Sequence, residues 1–200
     1  TSQPSILAFS AFVGCCTWNI ANGSPIGDSM PALLALDTSL VLGKGSERRT
    51  IAIGDFYKAY RETALQAGEF IERIQIPLQD ENSVVRSYKV SKRFDQDISA
   101  VCAAFRLRLN DNVVDEIRLA YGGMAETPRR ARRCEEALRG NEWNAGTVLA
   151  ASRMLDEDFT PITDMRSSAR YRSEICRNLL TRFLNETTGV ETTSVYSYGR

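Results

Sequence analysis

The 200-residue sequence contains no histidine. That absence excludes His-based catalytic triads, histidine-ligated zinc and any imidazole proton shuttle within the chain. Cysteine is sparse and unpatterned. Cys15, Cys16, Cys102, Cys134 and Cys176 are odd in number and include no C-x-x-C pair, so neither a disulfide framework nor a zinc ribbon is indicated, and a reducing cytoplasm fits best. No charge of either sign dominates: 25 basic side chains face 25 acidic ones, with a pI near 6.3. Nucleic acid and anionic membranes therefore have no general electrostatic claim as partners. Long apolar runs are missing too. The best candidate, Ser5 to Cys16, has no basic residue before it and is shorter than the about 20 apolar residues of a membrane helix. It reads as a buried strand or an unstructured start.

What is present is the patterning of a globular α+β protein, with 43% hydrophobic residues and strands that precede helices rather than alternating with them. Met30 to Asp37 places Pro31 near the start of a short apolar helix. Val41, Leu42, Ile51 and Ile53 suggest short strands around the polar turn Gly43 to Arg49. Glu69 to Pro77 reads as a strand with Phe70, Ile74 and Ile76 on one side and Glu72 toward solvent. Phe105, Leu107 and Leu109 alternate with arginines before Asn110-Asp111-Asn112, and Ile117, Leu119 and Tyr121 alternate with polar residues after it, which predicts an antiparallel hairpin. Helices follow: Ala131, Cys134 and Leu138 are spaced three or four apart, and Leu149 falls in a second amphipathic stretch. Ile175, Leu179 and Phe183 mark a third, opposite Arg172, Arg177 and Arg182. The polar stretch Gln79 to Ser83 suggests a boundary between lobes, and residues 189–200 suggest a disordered tail.

The loop Asn19-Ile20-Ala21-Asn22-Gly23-Ser24-Pro25-Ile26-Gly27-Asp28 is dense in small, hydrogen-bonding residues. Glycine lets backbone N–H groups approach a ligand, Asn19 and Ser24 supply donors, and Asp28 can accept from sugar or ribityl hydroxyls. An ordinary surface turn fits the same residues about equally well. The run resembles the second flavin-binding motif of the xanthine dehydrogenase and carbon monoxide dehydrogenase flavoprotein family, roughly Thr-Ile-Gly-Gly-Asn-Ile-Ala-x-x-Ser-Pro-x-x-Asp. The similarity continues at Glu69 to Pro77, Tyr88 to Ser99, Tyr121-Gly122-Gly123-Met124-Ala125, and Asp158-Phe159-Thr160-Pro161 through Arg172. The Tyr121 to Ala125 segment favours the xanthine dehydrogenase branch.

The resemblance implies a partial FAD-binding domain over residues 1–78 and a domain like the family's C-terminal one over residues 79–188. It implies an antiparallel sheet with helices on one face in the second. FAD is the expected cofactor in this chain, with Asn19 near the dinucleotide, Asp28 on its polar chain, Ser24 as a further cofactor-binding residue, Ile71 as an apolar contact and Lys89 close to the flavin. Phe94 and the charged stretch Lys89 to Asp97 would govern the flavin environment and the approach of NAD. A molybdenum cofactor and 2Fe-2S clusters are expected on other domains or partner subunits, in a cytoplasmic hetero-oligomer that oxidises a purine. Arg129, Arg130, Arg132 and Arg133 read as a solvated helix face or subunit contact, since they stand before Glu135 and Glu136 without an aromatic platform.

The sequence departs from the family at Thr17 and Trp18, which replace paired glycines, and residues 1–16 carry no likeness to the family's first, Gly-rich flavin motif. This implies a weakened FAD site. It also raises an alternative: a truncated homologue that no longer holds FAD and acts only as a subunit-packing module.

Overall fold

A computed structural model of the chain describes residues 6–10, 19–93 and 98–190. Among these residues two four-stranded antiparallel sheets set the frame, in agreement with the α+β expectation. The first runs β1-β6-β2-β3, from β1 (Ile6–Ser10), β2 (Ser39–Lys44), β3 (Glu47–Ala52) and β6 (Phe70–Pro77). Helix α1 (Ser29–Ala35) leads into it. A one-turn helix α2 (Ile53–Phe56) and the small ribbon β4 (Tyr57–Ala59) with β5 (Glu62–Thr63) connect β3 to β6. Ile53 thus opens a helix rather than continuing a strand, its N–H bonded to Thr38 O at 2.9 Å.

The second sheet runs β10-β9-β8-β7, from β7 (Ser83–Val90), β8 (Val101–Asn110), β9 (Val113–Gly122) and β10 (Arg129–Arg130). Helices α3 (Arg132–Leu138), α4 (Ala145–Ser152), α5 (Leu155–Asp158) and α6 (Ala169–Thr187) follow. The predicted hairpin is β8–β9. Asp111 and Asn112 at its tip both have positive φ, 48° and 65°, the conformation that a two-residue connection needs to match strand twist.

This hairpin has two unlike faces. Val101, Ala103, Phe105 and Leu107, with Ile117, Leu119 and Tyr121, point toward α3, α4 and α6 and close a core against Cys134, Leu138, Val148, Cys176, Leu180 and Phe183. The opposite face carries only small side chains at its centre. Ala104 and its cross-strand partner Ala120 belong to the first lobe's core, with Ile20, Met30, Leu34, Leu40, Phe56 and Ile71. The later helices do cover one face of the sheet, as expected, and α1 covers the other.

Three expectations need correction. Phe70 is exposed at 51%, while Ile71 and Ile74 are both buried. The register explains this: Val41 pairs Arg73 but Leu42 pairs Ile71, so Glu72 is an extra residue in β6. Such a bulge shifts the alternation by one position. Glu72 pairs with Arg48. Leu149 points outward at 65% exposure, leaving Val148 and Ala151 to pack α4. Finally, Arg172 does not lie opposite the apolar stripe of α6. It precedes Cys176 by four residues, on the same face, and is buried.

A local ion pair in the first lobe sets a pH dependence. Arg49 Nε meets Glu69 Oε1 at 2.7 Å, and Gln66 N–H donates to Glu69 Oε2 at 2.7 Å. The Arg49 hydrogen bond, helped by the Gln66 N–H, holds the Glu69 carboxyl at about 2. A depressed folded-state value stabilises the fold above the unfolded value, and that contribution disappears as pH falls toward the folded value. Acid titration between about pH 4.5 and pH 2 should therefore lower the stability of the fold, and Glu69→Gln should flatten that part of the curve. Stability measured by urea at several pH values reads both effects.

Candidate functional site

The Asn19 to Asp28 loop is a chain of tight turns that delivers Asp28 to the start of α1. Residues 19–21 are helical. Gly23 N–H then donates to Ile20 O at 3.1 Å, Gly27 N–H to Ser24 O at 3.2 Å and Met30 N–H to Gly27 O at 3.3 Å. Asn19 folds its side chain back across the loop, where Oδ1 accepts from Ser29 Oγ at 3.5 Å. A Cβ on Gly27 would lie 2.6 Å from that oxygen, so only glycine allows Asn19 and Ser29 to meet.

The second lobe then grips the loop. Lys89 Nζ, on β7, lies 2.8 Å from Asp28 Oδ2. Ser99 Oγ donates to Asp28 Oδ1 in a short bond, Cys102 Sγ approaches Asp28 O at 3.5 Å, and Gly123 N–H donates to Pro25 O at 2.8 Å. Burial, with the nearby Asp28 charge adding to it, pushes the Cys102 thiol up to about 12, so it is a packing group here and not a nucleophile. The Asp28 and Lys89 side chains keep 46% and 41% of their surface exposed. They form a paired acceptor and donor open to a ligand but fixed from beneath.

Behind this site sits Arg172. Its Nη1 donates to Ala100 O at 2.6 Å and Gly123 O at 2.7 Å, and its Nη2 to Asp164 Oδ1 at 2.7 Å. Those two carbonyls belong to the segments that hold Asp28 through Ser99 and Pro25 through Gly123. Gly123 has φ 82°, and a Cβ there would lie 2.5 Å from Ala100 O, so the Tyr-Gly-Gly-Met-Ala segment is a backbone constraint on the loop. Burial opposes ionisation of Asp164, but the Arg166 N–H, the Arg172 guanidinium and the Ser167 N–H outweigh it and hold its pKa below the usual carboxylate value.

The structure brings Asn19, Ser24 and Asp28 into one loop and sets Lys89 against Asp28. Ile71 lies elsewhere, inside the first-lobe core at 6% exposure. Trp18, Thr17 and residues 94–97 fall outside the described residues, as do residues 191–200 of the expected tail. Sequence reasoning missed Ser99 and Arg172 as parts of the site. Only the spacing of Arg172 from Cys176 signalled its burial. The arginine cluster is divided: Arg129 and Arg130 form β10 against Tyr121 and Ala120, and Arg130 is tied to the buried Glu135, whereas Arg132 and Arg133 are exposed in the first turn of α3.

Two family models match along the chain. The FAD binding domain in molybdopterin dehydrogenase covers residues 13–79, and the CO dehydrogenase flavoprotein C-terminal domain covers residues 86–187. The chain belongs to the CO dehydrogenase flavoprotein family. Relatives of this flavoprotein include the nicotinate hydroxylase hnxS of Emericella nidulans, 38% identical across 86% of the chain, and the xanthine dehydrogenase of the same organism, 33% identical across 84%. The flavoprotein spans 13% of each of these two proteins. A solved carbon monoxide dehydrogenase from Hydrogenophaga pseudoflava, which lacks the Mo-pyranopterin moiety of its molybdenum cofactor, superposes with a TM-score of 0.80 at 25% identity, over 87% of this chain and 60% of that one. The match to an FAD-binding domain favours a flavin-holding chain over a packing module. Among the described residues no helix is long and apolar enough to cross a membrane.

Proposed function

We propose that this chain is the flavin-carrying component of a xanthine dehydrogenase-type molybdenum hydroxylase, and that the Asn19 to Asp28 loop with Lys89 holds part of its FAD. The reading is carried by one observation: the exposed Asp28–Lys89 pair, supplied by two lobes and anchored from beneath by Ser99. The residues suit the group. Asp28 and Asn19 offer acceptors to hydroxyls of a ribityl or ribose chain, Ser24 offers a donor, and Lys89 offers a cation beside an electron-rich ring. Ile71 would act through the wall of the first-lobe core. Bound FAD supplies the exchange between single electrons and a hydride. Lys89 favours a ring that gains negative charge, Asp28 fixes Lys89, and the glycine-tight loop keeps the pair in place.

In the proposed assembly, 2Fe-2S clusters and a molybdenum cofactor lie on other domains or partner subunits of a hetero-oligomer, and NAD takes the hydride. The names of the two fungal relatives point to an aromatic nitrogen heterocycle as the oxidised substrate, and a purine is our choice among these. Titration of the purified chain with FAD tests the cofactor: bound isoalloxazine should show its band near ~450 nm and quenched fluorescence. Anaerobic NADH should then bleach that band. Absence of both binding signals removes the proposed role, and binding without bleaching removes NAD as the partner of this site.

A further inference from the structure

We propose that Asp37, at the far end of α1 from Asp28, is a positioning residue for the cofactor loop, locked to the second lobe by Arg118 and Arg130. This rests on the flavin reading of Asp28. Helix α1 ends in a tight cap in which Asp37 N–H donates to Leu34 O at 3.3 Å and Thr38 N–H to Leu33 O at 3.1 Å. That pattern places Asp37 in the left-handed region, at φ 54°, where glycine or asparagine is the usual residue. Aspartate here is locally unfavourable twice, through its backbone and through a negative charge at the negative end of a helix.

A partner across the lobe boundary offsets both. Arg118 Nη2 pairs with Asp37 Oδ2, and Arg130 Nη1 lies 3.6 Å from Oδ1. Both arginines are held in advance: Arg118 by Glu116 Oε1 at 2.7 Å, and Arg130 by the buried Glu135, which also accepts the Leu119 N–H at 2.7 Å. The geometry couples this lock to the cofactor loop. On one face of the β8–β9 hairpin the cross-strand pairs run Cys102–Gly122, Ala104–Ala120, Arg106–Arg118. Four residues of strand cover about 13 Å, and the seven residues of α1 with its two end turns cover a similar length at about 1.5 Å per residue. Asp28 therefore sits at the Cys102 end, Ala104 and Ala120 lie beneath the helix, and Asp37 meets Arg118 at the other end. With small residues in between, the polar ties that fix the position of α1 along the sheet lie at its two ends, at Asp28 and Asp37.

The test compares wild type with Asp37→Asn and Asp37→Gly in the full chain. Both replacements suit the left-handed backbone, so the cap and the melting temperature should be kept, while FAD affinity falls about tenfold and amide exchange of residues 23–30 speeds up about tenfold. Because the lock is ionic, added salt should speed that exchange more in wild type than in the variants, which keep only the exposed Asp28–Lys89 pair at the other end. Wild-type affinity or wild-type exchange in both variants overturns the proposal. If the wild-type chain binds no FAD, the flavin reading falls, and the exchange measurement alone then decides whether Asp37 fixes the loop.

Discussion

Arg172→Met is expected to lower the unfolding temperature by about 6–20 °C, corresponding to about 3–5 kcal/mol for a chain of this size. The guanidinium is 2% exposed and serves three acceptors on three separate segments. Methionine fills much of the volume, but it leaves the buried Ala100 O and the half-buried Gly123 O without this donor and Asp164 with only the more distant Arg166 as countercharge. Unsatisfied buried groups cost more than the bonds themselves contribute. Arg172→Lys should recover only part of the loss, since one ammonium cannot span acceptors that a planar fork reaches on two sides. Calorimetry of the three proteins checks this. A methionine variant melting within about 2 °C of wild type would mean that the three segments are held by other contacts.

Lys89→Met should weaken FAD binding by about 10–100-fold, the equivalent of losing a charge-assisted contact of about 1.5–3 kcal/mol. It should also lower the reduction potential of the bound flavin by on the order of 30 mV, since a two-electron couple moves by that much for about 1.4 kcal/mol. The sign follows from charge. A cation favours the reduced, more negative ring, so its removal makes reduction harder. Asp28, relieved of the Lys89 ammonium, would also present a less compensated negative charge to the phosphates of the dinucleotide. Lys89→Arg should keep most of the potential while binding less well, because a planar fork does not occupy the place of a compact ammonium. Fluorescence titration and a redox-dye equilibrium read the two effects separately, and wild-type values for both would remove Lys89 from the site.

Much of this was legible in the sequence because it was local. The Asp111-Asn112 turn, the alternation of β8 and β9, and Pro31 in α1 are all determined by near neighbours, and the Asn19 to Asp28 loop carries its own turn chemistry. What could not be read was set by distant partners. The bulge at Glu72, which moves Phe70 out and Ile71 in, is defined by the register against Leu42 and Val41. Ser99 looks like any loop serine until Asp28 is placed beside it. Arg172 shared the arginine-rich look of its helix, and only the carbonyls of Ala100 and Gly123 make its burial tolerable. Asp37 reads as an ordinary polar helix end unless its backbone angle is known.

The two-faced hairpin has a consequence for how the chain loses its structure. Phe105 and Tyr121 are walls of one core, while Ala104 and Ala120, their immediate neighbours in sequence, are walls of the other. Neither lobe can melt without stripping one side of the same two strands. Heat or denaturant should therefore find a single cooperative unit spanning both lobes, even though two family models divide the chain between them. An added methylene at Ala104 or Ala120 would be felt in both halves at once, so these two alanines should tolerate less variation than the bulkier residues on the other side of the sheet.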